Sequence, residues 1–568
     1  MSIAHWLKTW RFSLVSMGLM GLPALLIWHL SYLQVMPNQQ RGFEFLQEEG
    51  AARTLRSETL SAYRGVITDR NGELLAVSTP VKAIYANPQL INSNQIAALA
   101  KSLGMAESVL KKKLNLYKNK QFVYLARHIK PSQADSILSN KFSGVFAETE
   151  YRRFYPAGEF AAHVVGFTDI DDRGQEGVEL ALDHWLAGSE GKKKVVKDLK
   201  GNIVKDLGLL RAPKAGGDVQ LTLDLKLQYL AYRELKKSIA ELGAKSGSVV
   251  LLDVKTSEIL AMVNQPSYNP NDRSGVSPDQ LRNRVVTDLF EPGSTVKPFT
   301  IAAALETGRY SPEREIDTSP GHVRVSGKTF LDPVNYGVMN LTKILQKSSQ
   351  VGITKIALDL EPQNILDTFS RVGFGQSSGI AFPGESSGLL PARTRWSDIE
   401  RATFAFGYGL NVNVLQLAQA YSVIANKGMY TPLTLIRNTE SPEPTRVISE
   451  KIASQVTEML KTVTQRGGTA INANISDFPV AGKTGTAHKV GAGGYIEDKY
   501  IALFAGFAPA DNPKVVAIVI VNEPPASGGY HGGTVAAPIF SRVVGQALKT
   551  LNVSPVNTEH YLVRVVEH

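Results

Sequence analysis

The 568-residue chain has no cysteine. This excludes disulfides, thiol nucleophiles and thiolate-bound metals, and by itself names no compartment. Its ten histidines are scattered, and none sits in an H-E-x-x-H or comparable ligand pair. Lys and Arg outnumber Asp and Glu by 62 to 52, a formal charge of +10, yet they are spread along the chain rather than gathered. A nucleic-acid partner requires a basic patch or stripe on one face, which this pattern does not offer. An anionic polymer or membrane surface suits the charge equally well. With 43% hydrophobic and 20% charged residues, the chain is globular material for two to four domains.

Long apolar runs are missing too, with one exception. Phe12 to Met36, FSLVSMGLMGLPALLIWHLSYLQVM, carries no formal charge apart from one that His29 can take. A helix of that length spans about 38 Å at about 1.5 Å per residue, against a bilayer core of about 30 Å. A cleaved signal peptide has an apolar region of only about 7–15 residues followed by an A-x-A-like site, and no such site follows here. Lys8 and Arg11 precede the run, so the positive-inside rule places the short tail in the cytoplasm and the rest outside. The expectation is a single uncleaved anchor, in which Pro23 is tolerable.

From Arg41 onward, short strand-like pieces alternate with helices. AYRGVITDRNGELLAVSTPV (62–81) reads as strand, turn at Asn71-Gly72, strand. DDRGQEGVE (171–179) reads as a Gly-rich loop feeding a helix, and RAPKAGGD (211–218) as a Pro/Gly linker between domains. Beyond it, Asp224 is placed to cap a long amphipathic helix, LKLQYLAYRELKKSIAEL. A hairpin follows, GSVVLLDV and ILAMVN around KTSE, and far downstream come two buried strands, YIALFAGFAPA and VVAIVIVNEP. Pro538 is expected to begin a closing helix. The fold class is α+β, with an antiparallel sheet built from both ends of the second domain.

The chemistry starts at EPGSTVKP (291–298). Ser294 and Lys297 are three apart and share a helix face. Pro292 and Gly293 suit a helix start, where free N–H groups point outward, so a serine there can be both nucleophile and neighbour of an oxyanion site. S-x-x-K alone is weak, because SVLK (108–111) and SEGK (189–192) also fit, both in hydrophilic surroundings. AGKTGTAHK (481–489) supplies a second motif, K-T-G-T leading into a strand; KSGS (245–248) also matches K-[ST]-G but reads as a strand entry. AGKT is not half a phosphate loop, because Asp477 stands where such a loop needs its first glycine.

An S-x-x-K, a Ser-x-amide and a K-T-G in that order form the motif set of penicillin-recognising serine acyl-transferases. EPGSTVKPF, FAFGYGLNVNVLQLAQAYSVIAN, GKTGTA and FAGFAPA, with RGVITDRNGELLAVS and RRFYPAGE upstream, resemble a class B penicillin-binding protein. The resemblance is to the division-specific, penicillin-binding protein 3 type of Gram-negative bacteria, and it covers nearly the whole chain. It implies a tail and anchor over 1–40, a dimerisation-type pedestal over 41–217 and a transpeptidase domain over 218–568. It also implies an inner-membrane location with the catalytic domain in the periplasm.

The implied reaction is the crosslinking of peptidoglycan stem peptides during septal wall synthesis, with inhibition by β-lactams. Ser294 would attack the penultimate D-Ala carbonyl. Lys297, neutral because of burial and a nearby cation, would take its proton. Lys483 would be that cation and would attract the terminal carboxylate, helped by Thr484, Gly485 and Thr486. The N–H groups of Ser294 and Thr486 would form the oxyanion hole. In KSSQVG (347–352), Ser348 takes the serine role and Gln350 the amide role, although the family residue at the latter position is Asn. Gln keeps donor and acceptor, but one extra methylene moves the amide by about 1.5 Å.

No metal or organic cofactor is implied. Expected partners are stem peptides, β-lactams, a membrane glycan-strand polymerase and other division-complex membrane proteins, with no nucleic acid. A bifunctional class A protein would need a glycosyltransferase motif before residue 220, and an antibiotic sensor a zinc-protease motif; both are absent. A class A β-lactamase would be about half as long and unanchored. An elongation-type class B enzyme is the closest rival, and a catalytically weak membrane-anchored scaffold is the non-enzymatic one. Tyr500 and Tyr530 fit either a cleft wall or core-edge packing, His488 and His531 lack a third group, and Arg64, Arg153 and Glu179 look like structural polar contacts.

Overall fold

The computed structural model describes residues 3–34, 45, 48, 50, 54–198, 203–437, 443–491, 494–525 and 529–555. Helix α1 (Ile3–Gln34) contains Pro23, and its stretch Trp10–Tyr32 is long and apolar enough to cross a membrane. Val35 and Met36, the expected end of the span, lie outside the described residues.

The chain divides into two compact units. The first comprises Met1–Tyr63, Pro80–Tyr151 and Gly188–Gly216. It holds a three-stranded antiparallel sheet in the order Leu55–Leu60, Gly191–Lys197, Ile203–Arg211. It also holds a core of Ile84, Leu99, Leu110, Leu125 and Ile137. Both S-x-x-K decoys are in this unit and are accounted for by structure. Lys111 forms an exposed i,i+4 pair with Glu107, and the Ser189 main chain pairs with Lys214.

The second unit, Arg64–Thr79, Arg152–Ala187 and Gly217–His568, carries the motifs. Its centre is a five-stranded antiparallel sheet of β1 (Ser246–Asp253), β2 (Ile259–Gln265), β3 (Ala481–Gly491), β4 (Gly494–Ala508) and β5 (Val515–Asn522), in the order β2-β1-β5-β4-β3. Strands from both ends of the domain therefore meet in one sheet, as expected, and KSGS is a strand entry. Both faces are covered. Val249, Leu251, Phe504 and Val519 face one apolar cluster, while Val250, Leu252, Leu503 and Ile518 face the other. Such two-sided burial explains the unbroken apolar runs of these strands, each large side chain contributing about 1.5–3 kcal/mol.

Helix α2 (Leu225–Leu242) has the expected cap: the Asp224 carboxylate accepts from the N–H groups of Lys226 and Leu227. The buried helices α3 (Lys297–Glu306) and α6 (Val414–Ala425) belong to the larger cluster. Between them in sequence lie α4 (Leu341–Lys347) and α5 (Gln350–Asp359). The closing helix α7 (Gly532–Thr550) begins six residues before Pro538 rather than at it. Glycines start it because a Cβ on Gly532 would come within 2.1 Å of Leu503 O and 2.5 Å of Gly485 O. Proline then forfeits one interior hydrogen bond.

Within this unit Glu179 is fully buried between two arginines, accepting from Arg64 Nε at 2.7 Å and from Arg153 Nε at 2.6 Å. The expected polar contacts are thus a buried ion cluster.

Candidate active site

Ser294 and Lys297 sit where the chain tightens before α3. Gly293–Val296 forms a 3₁₀ turn, and Lys297 opens the α-helix. In 3₁₀ geometry residues i and i+3 eclipse, which aligns the pair more closely than an α-turn would. Gly293 has φ +54°, and it donates its N–H to Gly407 O at 3.2 Å. Gly407 is needed for that approach, since a Cβ there would meet Gly293 O at 2.2 Å. Lys297 is fully buried, and Ser294 is half-buried.

KSSQVG is the junction between α4 and α5. Ser348 caps α4 in the left-handed region, φ 57° and ψ 35°. A non-glycine residue there costs on the order of 1 kcal/mol and persists only where its surroundings enforce it. Here the enforcement is visible. Lys297 Nζ donates to Ser348 O at 2.7 Å, Ser349 O at 3.2 Å and Ser348 Oγ at 3.3 Å. Ser349 caps α5, accepting from the Gly352 N–H at 2.9 Å. The Asp332 carboxylate receives the Ser349 hydroxyl at 2.5 Å and the N–H groups of Gln350 and Val351 at 2.6 and 3.2 Å. Gln350 is the first residue of α5. An ammonium has three donors, and those of Lys297 go to Ser348 and Ser349. Among the described residues no hydrogen bond joins the Gln350 amide to Lys297.

The third motif lies on β3 at the sheet edge, where outward main-chain groups lack a strand partner. Lys483, fully buried, donates to Ser348 Oγ at 2.9 Å and to Thr484 O at 3.2 Å. Thr484 Oγ1 bonds Thr469 Oγ1 at 2.9 Å. Thr486 Oγ1 accepts from the Gly532 N–H at 3.2 Å, which leaves its own O–H free to donate. Gly485 permits the strand to reach the serine turn: a Cβ there would lie 2.8 Å from Thr295 Cγ2 and 3.2 Å from Pro292 O. Lys297, Ser348 and Lys483, far apart in sequence, are therefore joined at one hydroxyl.

Charge follows from burial. Burial pushes the Lys297 amine down to about 7, against the Asp332 carboxylate, which pulls it up. Lys483 is driven well below its ordinary value by burial and by Lys297. Burial and proximity therefore act against charging both amines at once. The Asp332 carboxylate favours the charged form of Lys297.

Tyr500 and Tyr530 stack at 3.9 Å, and His488 and His531 extend the stack from either end at 4.8 and 4.4 Å. A groove of about 480 Å³ elsewhere in the unit is lined by Ser246, Arg284, Lys489 and Asn522, among others, and includes none of Ser294, Lys297, Ser348 or Lys483. Its cations are spoken for, Arg284 by Asp279 and Asp288 and Lys489 by Glu523, so the chemistry belongs to the lysine cluster. No metal-holding group of three or more His, Asp or Glu occurs among the described residues.

Asp332, Ser349, Gly407 and Thr469 were not singled out from sequence. Ser349 carries a readable signal as a serine before a helical run. Asp332 and Thr469 are brought in only by folding.

Comparison with known proteins agrees with this geometry. A family model of the penicillin-binding protein transpeptidase domain matches residues 247–545, and one of the penicillin-binding protein dimerisation domain matches residues 59–221. The peptidoglycan D,D-transpeptidase FtsI of Escherichia coli K12 is 42% identical over 555 residues, covering 96% of this chain and 93% of that protein. The probable peptidoglycan D,D-transpeptidase PbpC of Pseudomonas aeruginosa is 41% identical over 532 residues, 93% of each chain. A crystal structure of penicillin-binding protein 3 from Mycobacterium tuberculosis, complexed with aztreonam, is 30% identical, with a TM-score of 0.69 over 88% of this chain and 98% of that one. The chain belongs to the penicillin-binding proteins, and within them to the class B peptidoglycan D,D-transpeptidases of the FtsI, or penicillin-binding protein 3, type.

Proposed function

We propose that this protein is a membrane-anchored serine transpeptidase that crosslinks peptidoglycan stem peptides in the periplasm during septal wall synthesis. The observation that carries the reading is the single hydroxyl, Ser348 Oγ, that accepts from both Lys297 and Lys483.

In this mechanism the substrate's terminal carboxylate is drawn to Lys483, Thr484 and Thr486. That negative charge favours the shared proton on Lys483, which leaves Lys297 neutral and able to act as base. Ser294 Oγ loses its proton to Lys297 and forms an ester with the penultimate D-Ala carbonyl, whose oxygen is held by the N–H groups of Ser294 and Thr486. The peptide bond to the terminal D-Ala breaks, and the proton passes from Lys297 through Ser348 Oγ to the leaving amine. An amine of a neighbouring stem peptide, diaminopimelate in a Gram-negative wall, then attacks the ester; the bond to Ser294 Oγ breaks, the amine's proton returns to Ser294 Oγ by way of Lys297, and the new amide is the crosslink. Base assistance supplies roughly 10²–10⁴-fold, and each oxyanion donor about 10²–10³-fold.

The aztreonam complex of the mycobacterial relative supports acylation by β-lactams. Lys8 and Arg11, at the N-terminal end of helix α1, support a cytoplasmic tail and a periplasmic catalytic domain in the inner membrane. The division-type relatives support a glycan-strand polymerase and other division-complex membrane proteins as partners. Purified protein mixed with stem pentapeptides and an acceptor strand is expected to release D-Ala and form dimers, and Ser294→Ala to do neither. Release without wild-type dependence on Ser294, or none at all, contradicts the reading. Restoration of septation in a strain depleted of its own division transpeptidase tests the septal role.

A further inference from the structure

The segment after the strand Lys328–Leu331 delivers one carboxylate to the base of the Ser348–Gln350 turn. Asp332 Oδ1 accepts from Gln350 N at 2.6 Å and Val351 N at 3.2 Å, and Oδ2 accepts from the Ser349 hydroxyl at 2.5 Å. The same turn is tied from its other side to α4, with Ser348 N donating to Leu345 O and Ser349 N to Ile344 O at 3.1 and 3.0 Å. Asp332 is itself fixed, its N–H donating to Gly321 O at 2.9 Å. The residue in the strained conformation, Ser348, is the one whose hydroxyl meets both lysines.

We propose that Asp332 is a positioning residue for the transpeptidase reaction: its carboxylate clamps the Ser348–Gln350 turn so that Ser348 is presented to Lys297 and Lys483. The inference rests on the transpeptidase reading above and assigns a residue outside the three motifs. The clamp acts on main chain at Gln350, so the turn holds its shape with Gln as it would with Asn, and the extra methylene is confined to the side chain.

The clamp also carries charge. The charged groups facing Lys297 are Asp332 and, from β3, Lys483. Asp332 favours the protonated form of Lys297, and a charged Lys297 disfavours charge on Lys483. Asp332 thus holds the shared proton on Lys297 until a substrate carboxylate at Lys483 outweighs it.

The test uses the full chain in detergent and the rate of acylation by a fluorescent penicillin, followed from about pH 5.5 to pH 9. Asp332→Asn keeps the shape and the acceptor for Gln350 N while removing the charge. The ascending limb of its pH–rate profile is expected to move to lower pH by roughly one unit. Ser349→Ala keeps the charge and removes one tether, together with the cap on the Gly352 N–H. Its rate is expected to fall by about 10-fold or more with the limb unmoved. A limb that stays put in Asp332→Asn overturns the proposal, because a purely structural role scales the rate without shifting the profile. A wild-type rate in Ser349→Ala overturns it equally. Should Asp332→Asn fail to fold, the Ser349→Ala rate decides alone. Absence of labelling in the wild type would instead refute the transpeptidase reading itself.

Discussion

Lys297 and Lys483 donate to the same oxygen, Ser348 Oγ, at 3.3 and 2.9 Å. Both amines are fully buried, and like charges this close cannot both be kept out of water cheaply. The shared hydroxyl lets one proton move between them without either side chain changing place. The left-handed backbone of Ser348 is what that placement requires.

Activity should therefore follow the proton. Lys297 is a base only when neutral, and burial has brought it down to about 7. Acylation is expected to rise with pH through a midpoint near 7 that belongs to the lysine pair rather than to either residue. Lys483→Met removes the second amine at Ser348 Oγ, and acylation is expected to fall across the whole pH range. A stopped-flow pH series on both proteins checks the sign.

The same burial makes Lys297 a liability for stability. Its folded value lies below the unfolded value of about 10.4. The resulting cost is full below pH 7 and fades as pH rises toward 10.4. Lys297→Met should raise Tm more at pH 6 than at pH 9 while removing acylation. An equal gain at both values would show that the lysine is not depressed.

Gln350 departs from the family's Asn by one methylene, about 1.5 Å, and a misplacement of about 1 Å can cost on the order of 10²-fold. Gln350→Asn is expected to change acylation rates unevenly across a panel of β-lactams, with Tm little affected because the main chain is held by Asp332. Identical rates for every compound would make the substitution neutral.

Glu179 offers a test away from the motifs. It is buried between Arg64 and Arg153, and removing one partner of a buried ion cluster costs roughly 3–5 kcal/mol. Glu179→Ala should lower Tm by several degrees or prevent folding, and differential scanning calorimetry would show it.

Much of this was legible because it is local. The Asp224 cap, the KTSE hairpin and the apolar strands β4 and β5 declare themselves within a few residues. S-x-x-K could be ranked above its decoys because those lie in hydrophilic surroundings and K-T-G-T follows it downstream, whereas KSGS precedes Ser294. The start of α7 was misjudged, since Pro538 is an apt first-turn residue and the close packing that selects Gly532 is a tertiary fact. Asp332 escaped for a similar reason: it lies 18 residues from the N–H it receives at Gln350, with the strand Val338–Asn340 and helix α4 between. The pull of Asp332 on Lys297 was also beyond reach, because it depends on which amine a carboxylate distant in sequence faces.

The central claim is that Ser294 is the acylated nucleophile. Protein saturated with penicillin is digested and its peptides are weighed by mass spectrometry. The account predicts a single penicilloyl adduct on the peptide containing Ser294, absent from Ser294→Ala. An unmodified Ser294 peptide in the wild type, or an adduct that persists in Ser294→Ala, would contradict it.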